Sequence, residues 1–469
     1  MKFSVDEVVA ATGGRLAAGL ATATPWRAGR RDAPAGSIST NTRTLAAGQM
    51  FLAIRGERFD GHDFLEAAIR GGAACLIVSR KDRLPNLGST AAVIVKDTLA
   101  ALADLGRAAR ERLACPVIAV TGSCGKTTVK EMIGQILTGR LRGQAPPASF
   151  NNQIGVPLTL LGAETDDEFV LCEFGTNAPG EIAHLAGVAR PTIGIVTVVA
   201  PVHLEGLGSV EGVAAEKSAL VESLDDSGAA ILNADDPRVA AMAAKCRGRA
   251  VTVGLAEMAD LRLDDLIQTE RGLHFTAADV GFDVPVLGEH QALLALLAAA
   301  AVREVGVPLE ESAEALRGFH PPPMRLALHE AGGVTIVNDA YNANPRSMAA
   351  ALAVLALWPD RRKVFFCGDM RELGPASRTA HEELGRAAVE VGVKQLICVG
   401  QESRATAVAA VAAGLKEDAV TMLADSERAA AMAPGIVREG DVVLVKGSRL
   451  IKMERVADAI LAALAVSPR

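Results

Sequence analysis

Residues 117–128, Val-Ile-Ala-Val-Thr-Gly-Ser-Cys-Gly-Lys-Thr-Thr, constrain the fold more than any other stretch of the chain. Four apolar residues read as a buried strand, and a glycine turn carrying one lysine and two threonines follows them. Backbone N–H groups in such a turn cradle a polyphosphate. Lys126 can reach the terminal phosphates, and Thr127 offers its hydroxyl to the accompanying Mg²⁺. A helix expected to begin near Thr128 adds the positive end of its dipole. The full phosphate-loop pattern has a further glycine where Val120 stands, so what remains is the shortened run Gly122-Ser123-Cys124-Gly125-Lys126-Thr127-Thr128. A plain strand-to-helix turn has no packing use for a lysine and two hydroxyls. Binding of a nucleoside triphosphate is therefore the starting expectation.

The chain is 469 residues long, too long for one core, and three domains are expected: 1–97, 98–323 and 324–469. In the first, residues 50–54, 74–78 and 93–95 read as strands and 63–71 as a helix. A helix over about 99–113 leads into the phosphate-loop strand. The second boundary falls at Gly318-Phe-His-Pro-Pro-Pro-Met324, which can continue neither a helix nor a central strand. Beyond it, apolar runs at 334–337, 364–367, 396–399 and 442–445 alternate with Ala-rich helices. That rhythm predicts a mostly parallel, doubly wound sheet. The fold class expected is α/β, with a central P-loop mononucleotide-binding α/β domain and a C-terminal Rossmann-like doubly wound domain. No Gly-x-Gly-x-x-Gly run accompanies the latter, so no dinucleotide is inferred.

A net charge of −7 argues against a general nucleic-acid binder. The seven cysteines are scattered without a Cys-x-x-Cys pair, as in a reducing compartment. The longest apolar runs, 292–302 and 348–358, fall short of the ~20 residues of a membrane span. Asp6 and Glu7 stand where a signal peptide would be basic and then apolar. A cytoplasmic monomer is expected, with no nucleic acid and no stable membrane insertion.

In open α/β sheets ligands sit beyond the carboxyl ends of the strands. Besides the phosphate loop, residues 169–172 run into Glu173, and residues 193–199 run into Ala-Pro-Val-His203-Leu-Glu205. Parallel pairing of these strands would bring Glu173 and His203 to the edge that carries Thr127. A carboxylate, an imidazole and a hydroxyl around a triphosphate suit Mg²⁺, which takes few protein ligands and completes its shell with water and phosphate oxygens. Lys217 lies in a helix expected to begin soon after Gly212, and composition alone reads it as a solvated lysine.

Several of these segments resemble the Mur ligases, ATP-dependent amide-bond-forming enzymes of peptidoglycan precursor synthesis. They are the phosphate loop, Phe150-Asn-Asn-Gln-Ile-Gly-Val-Pro-Leu-Thr-Leu-Leu161, Glu173-Phe-Gly-Thr-Asn177 and His203-Leu-Glu-Gly-Leu-Gly-Ser209. In the C-terminal third, Asn338-Asp-Ala-Tyr-Asn-Ala-Asn-Pro-Arg-Ser-Met348, Gly368-Asp-Met-Arg-Glu-Leu-Gly374 and Lys446-Gly-Ser-Arg449 are similar to members that add a dipeptide. Thr40-Asn-Thr-Arg43 and Gly56-Glu-Arg-Phe-Asp-Gly-His-Asp-Phe64 are similar to the uridine-nucleotide-binding domain of the same family, which makes 1–97 the UDP-substrate domain.

The resemblance implies ATP, two Mg²⁺ ions and a carbamylated Lys217. The implied substrates are UDP-N-acetylmuramoyl-tripeptide and D-alanyl-D-alanine, joined through an acyl phosphate. Lys126, Lys217, His203 and Glu173 would be catalytic. Thr127 and Glu173 would serve one ion, and His203 with Lys217 the other. Around ATP the resemblance places residues 122–128 together with Asn233, Asp235, Asp236, His290, Gln291, Arg325, Asn338, Asp339 and Asn342. Thr40, Asn41, Thr42, Arg43, Asn151 and Asn152 would contact the acceptor substrate. After His290 the family usually shows two asparagines near the adenine. Here those positions are Gln291, which can still offer an amide, and Leu294, which cannot hydrogen-bond. Two alternatives stay open. A tripeptide-forming Mur ligase should carry Asp-Asn-Pro-Arg, where this chain has Gly368-Asp-Met-Arg, and a small-molecule kinase fits the loop taken alone. Lysine and diaminopimelate both remain open as the third peptide residue.

Overall fold

Apolar pentads decide where the central sheet forms. In the computed structural model, which describes residues 1–17, 36–56, 59–146 and 150–466, the strands Val117–Thr121, Phe169–Glu173 and Ala229–Asn233 are buried at every position. Strands covered by helices on both faces require such runs. In this seven-stranded sheet the phosphate-loop strand lies between Phe169–Glu173 and Ile193–Val196, parallel to both. All three strands therefore deliver their carboxyl ends to one edge. The helix Lys126–Leu137 starts two residues earlier than the sequence suggests, because Gly125 makes the turn at φ +84°. It packs on the Ala- and Leu-rich helix His290–Arg303, and the two share one core with the inner face of the sheet.

The N-terminal sheet holds Met50–Leu52, Cys75–Val78 and Ala91–Ile94 in parallel, close to the strands read from sequence. The helix expected over 63–71 is divided into a 3₁₀ turn, Gly61–Phe64, and a short α-helix, Leu65–Arg70. The Asp60 carboxylate accepts from the His62 N–H and starts the tighter turn. Glu57 and Arg58 of the Gly56–Phe64 motif lie outside the described residues. Thr98–Glu111, capped by Asp97, then leads into the central domain.

Two features were not legible as strands. Asp264–Thr269, Gly272–Ala277 and Val280–Val284 form a small antiparallel sheet, with Phe275 stacked on Phe282 at 4.9 Å. Ala327–Ala331 adds an antiparallel edge to the C-terminal sheet. The other five strands of that sheet, Val334–Asp339, Val442–Lys446, Lys363–Gly368, Val393–Val399 and Val420–Leu423, are parallel, as the βαβ rhythm predicts. Between the central and C-terminal domains, Met324 (φ 61°) and Leu326 (φ 51°) both take left-handed backbone around Arg325. Non-glycine residues are strained there, and such positions mark turns that the surrounding structure imposes. Among the described residues, no helix is long and apolar enough to cross a membrane.

Candidate active site

A cavity of about 630 Å³ opens where the carboxyl edge of the central sheet faces the C-terminal domain. Its floor is the phosphate loop. Gly122 (φ +150°) passes so close to Thr197 that a Cβ would stand 1.8 Å from the threonine hydroxyl, so a side chain is excluded there. Thr197 donates that hydroxyl to the Cys124 carbonyl at 2.5 Å. The Ser123 N–H donates to Val198 O at 2.8 Å, and Ala200 N–H donates to Ser123 Oγ at 2.9 Å. The loop is thus stapled to residues 197–200. Lys126 Nζ donates to Gly122 O at 2.7 Å, which folds the ammonium back over the loop. Burial holds its pKa below the usual lysine value, against the opposing charge of Glu173.

Thr127 and Glu173 meet as parallel strand ends should. Thr127 Oγ1 donates to Glu173 Oε2 at 3.0 Å, and Asn151 Nδ2 donates to Glu173 Oε1 at 3.0 Å. From the C-terminal side, Arg325 Nη2 donates to Thr127 Oγ1 at 3.0 Å, its guanidinium lying 4.0 Å over the Tyr341 ring. Among the described residues no three His, Cys, Asp or Glu side chains cluster as a metal cage. A cation held at Thr127 and Glu173 would take its other ligands from phosphate and water, which is the habit of Mg²⁺.

Lys217 sits on the helix Val210–Glu222, which begins ahead of Gly212 because Ser209 Oγ accepts from the Gly212 N–H and caps it. Only 2% of Lys217 is exposed. Burial, followed by the nearby Lys126 charge, pushes its pKa down to about 7. The Glu216 charge opposes that shift without cancelling it; its carboxylate accepts from Gly180 and Ile182 N–H at 2.7 Å each, at the start of the helix Glu181–Ala189. His203 begins the short helix Leu204–Leu207 in left-handed backbone (φ 53°), and its Nδ1 lies 2.7 Å from Glu372 Oε2. Burial lowers the pKa of His203, the Glu372 carboxylate opposing.

At the far end, His290 is exposed on the cavity wall. The protein packed around the cavity, followed by the Lys446 and Arg346 charges, pushes its pKa down to about 4. Gln291 is 3% exposed, and its Oε1 is buried without a hydrogen-bond partner. An orphan acceptor on a cavity wall requires an explanation, and a ligand N–H supplies one. Leu294 supports the loop from below, 2.7 Å from where a Cβ on Gly125 would stand.

The cavity therefore gathers residues 122–128, Asn151, Asn152, Glu173, His203, Lys217, His290, Gln291, Arg325, Asp339 and Asn342. Other expected residues stand elsewhere. Asn233 Nδ2 donates to Thr197 O at 2.7 Å, Asp236 Oδ2 accepts from Val199 N–H at 2.8 Å, and Asp235 accepts from Leu255 N–H at 2.8 Å. Asn233 and Asp236 thus hold the 197–199 segment, Asp235 holds residues 255 and 256, and none of the three lines the cavity. Asn338 is buried, its Oδ1 accepting from Ala340 N–H. Thr40, Asn41, Thr42 and Arg43 follow the strand Ile38–Ser39 and do not line the cavity. Asp339 lines it while bound to Lys446 Nζ at 2.5 Å, its register partner on the next strand, and to the Leu326 N–H. Burial raises its pKa, outweighing Lys446.

Lys446, Tyr341, Asn344 and Glu372 lie inside the motifs that carry the family resemblance, but the sequence reading gives none of them a role. Lys446 carried a signal, a charge at the end of an apolar strand. Asn344 Nδ2 donates to Cys124 Sγ at 3.2 Å across 220 residues, and no local spacing announces such a contact.

A stapled phosphate loop, a hydroxyl–carboxylate pair and a second domain reaching over both define a nucleotide-dependent α/β enzyme. Three family models cover most of the chain: the Mur ligase family catalytic domain over residues 35–111, the Mur ligase middle domain over 120–302, and the Mur ligase glutamate ligase domain over 324–449. The chain belongs to the Mur ligase family. It is 35% identical to the UDP-N-acetylmuramoyl-tripeptide–D-alanyl-D-alanine ligase of Bacillus subtilis strain 168, over 90% of this chain and 93% of that one. It is 36% identical to the protein of the same name from Escherichia coli K12, over 90% and 93%. Among solved structures, MurF of Acinetobacter baumannii superposes with a TM-score of 0.87 at 27% identity, covering 98% and 99% of the two chains. MurF ligase of Thermotoga maritima in complex with ADP gives 0.80 at 29%, covering 92% and 98%.

Proposed function

We propose that this chain is the ATP-dependent ligase that adds D-alanyl-D-alanine to UDP-N-acetylmuramoyl-tripeptide in peptidoglycan precursor synthesis. Relatives of that name over nine-tenths of the chain support the substrates. The observation that carries the chemistry is the Lys126–Thr127–Glu173 floor with Arg325 reaching it from the other domain. On this reading residues 1–97 take the uridine nucleotide, 98–323 take ATP, and 324–469 close over both.

A carboxylate is a poor electrophile, so it must be activated. One oxygen of the tripeptide's terminal carboxylate attacks the γ-phosphorus of ATP, ADP leaves, and an acyl phosphate results. The amine of D-alanyl-D-alanine then attacks the acyl carbon, and phosphate departs with that oxygen. Lys126 leaves Gly122 O for the phosphates and neutralises charge as it builds up. Arg325, already at Thr127, adds a second cation from the closing domain. An α-amino group of pKa ~8 is partly neutral near pH 7, so no strong base is needed.

Mg²⁺, when bound, would offset the charge of the phosphate oxygens. Thr127 and Glu173 would hold one ion. His203 and Lys217 would hold a second, Lys217 as a carbamate formed when its neutral amine adds to CO₂ and loses a proton. A pKa of about 7 leaves that amine free to react. Gln291 Oε1 would accept from the exocyclic amine of adenine. Phosphate release from ATP and Mg²⁺, with UDP-N-acetylmuramoyl-tripeptide and with or without D-alanyl-D-alanine, tests the assignment. Sustained release should need the dipeptide, and release indifferent to it removes this function.

A further inference from the structure

One side chain of the C-terminal domain ends on a candidate ligand of the central domain. Glu372 Oε2 lies 2.7 Å from His203 Nδ1, across 169 residues of sequence. The pair is half open to water, His203 at 31% and Glu372 at 54% exposure, so it contributes little to holding the domains together. Yet both residues take left-handed backbone to make it, Glu372 at φ 64° and His203 at φ 53°. Strain of this kind persists only where the surroundings impose it, and here they do.

The loop that carries Glu372 is tied down residue by residue. The Asp369 carboxylate accepts from Ser403 N–H at 2.8 Å and Gln401 N–H at 3.2 Å, and its carbonyl accepts from Ser448 N–H at 3.0 Å. Met370 N–H donates to Nε2 of the fully buried His381, whose Nδ1 donates to Ser377 O at 2.8 Å. Arg371 N–H donates to Ser448 Oγ at 2.9 Å. Glu372 is therefore presented by a rigid mount, not by a waving surface chain.

We propose that Glu372 is a positioning residue for His203: it accepts the Nδ1 proton, leaves Nε2 with its lone pair as the ligating nitrogen, and does so only while the C-terminal domain holds this arrangement. Carboxylates that accept the second proton of a ligating imidazole fix its tautomer and ring orientation in just this way. Domain arrangement and readiness of the ligand are thereby coupled. The inference rests on the reading of His203 as a cation ligand proposed above.

Two measurements on the full chain test it. In the metal-free protein, ¹⁵N NMR of the imidazoles, with His203 assigned through His203→Ala, should show a fixed Nδ1–H tautomer. Glu372→Ala should abolish that tautomer, and Glu372→Gln, which keeps an acceptor, should retain it. In EPR titrations of Mn²⁺ with ADP present, Glu372→Ala should weaken the His203-dependent site about 10- to 100-fold. Adding Glu372→Ala to His203→Ala should weaken it no further. An unchanged tautomer in Glu372→Ala, or an added loss without His203, overturns the proposal. Mn²⁺ binding indifferent to His203→Ala instead removes the ligand reading itself. A site weakened by His203→Ala and untouched by Glu372→Ala sinks the positioning role alone.

Discussion

On the central-domain wall of the cavity, the phosphate loop is fixed by its own neighbours: Ser123 and Cys124 are tied to residues 197–200, which Asn233 and Asp236 brace in turn. On the C-terminal wall the contacts are single side chains reaching across, Arg325 to Thr127, Glu372 to His203 and Asn344 to Cys124, over 198, 169 and 220 residues. The first wall is preorganised by one domain's fold. The second exists only while two domains hold their relative position. A site divided in this way can admit a large substrate and then complete its charge complement on closing.

If that contrast is real, changes to the first wall should strike chemistry hardest. Lys126→Ala should lower kcat about 10²- to 10³-fold, the cost of removing one preorganised donor to developing charge, as measured by phosphate release. Lys217→Ala should come next, with activity partly restored by added short carboxylates. A variant of full activity would return Lys217 to a packing role. Its pH dependence has a definite sign. Because the folded pKa is lowered to about 7, the amine is free above that pH and protonated below it. Activity of the parent chain should thus fall between pH 8 and pH 6, while the carboxylate-rescued variant should not share that fall.

Changes to the second wall should cost less and report on closure. Arg325→Ala removes one charged hydrogen bond, about 1.5–3 kcal/mol or roughly 10- to 100-fold in kcat. The chain has a single tyrosine, Tyr341, lying under that guanidinium. The one ¹⁹F resonance of 3-fluorotyrosine-labelled protein should shift on adding nucleotide, and Arg325→Ala should blunt the shift. Gln291→Ala should raise KM for ATP roughly fivefold at nearly constant kcat, the worth of one hydrogen bond of about 1 kcal/mol. The smallest effect is expected for Asn344→Ala. It removes the cap of the helix Pro345–Leu355 and should cost about 1 kcal/mol of stability in denaturant titration.

The same division explains what could be read from the residues alone. The phosphate loop and Glu173 each end an apolar strand, and period and composition reveal such ends, whereas the third strand stops at Val196, short of the expected 199, and an irregular stretch carries the chain to His203. The parallel C-terminal strands were legible for the same reason. Asp264–Thr269 was not, since its half-exposed alternation mixes charged, polar and apolar residues without a strong strand signature. The helix bearing Lys217 begins at Val210 because of the Ser209 cap, a signal present in the sequence but passed over for Gly212. Glu372 and Asn344 sit in quoted motifs, and Asn344 before Pro345 reads as a helix cap, but no local pattern announces their contacts with His203 and Cys124. Their contacts follow from tertiary placement, and in the recognisable motif 233–236 it is Asn233 and Asp236 that hold residues 197–199 behind the loop.

Transfer of oxygen from acid to phosphate tests the proposed chemistry most directly. With both carboxylate oxygens of the tripeptide terminus labelled as ¹⁸O, turnover with ATP and D-alanyl-D-alanine should release inorganic phosphate carrying one ¹⁸O, and the new amide should keep the other. Phosphate free of label would mean that the carboxylate never attacked phosphorus, and activation in this cavity would be refuted.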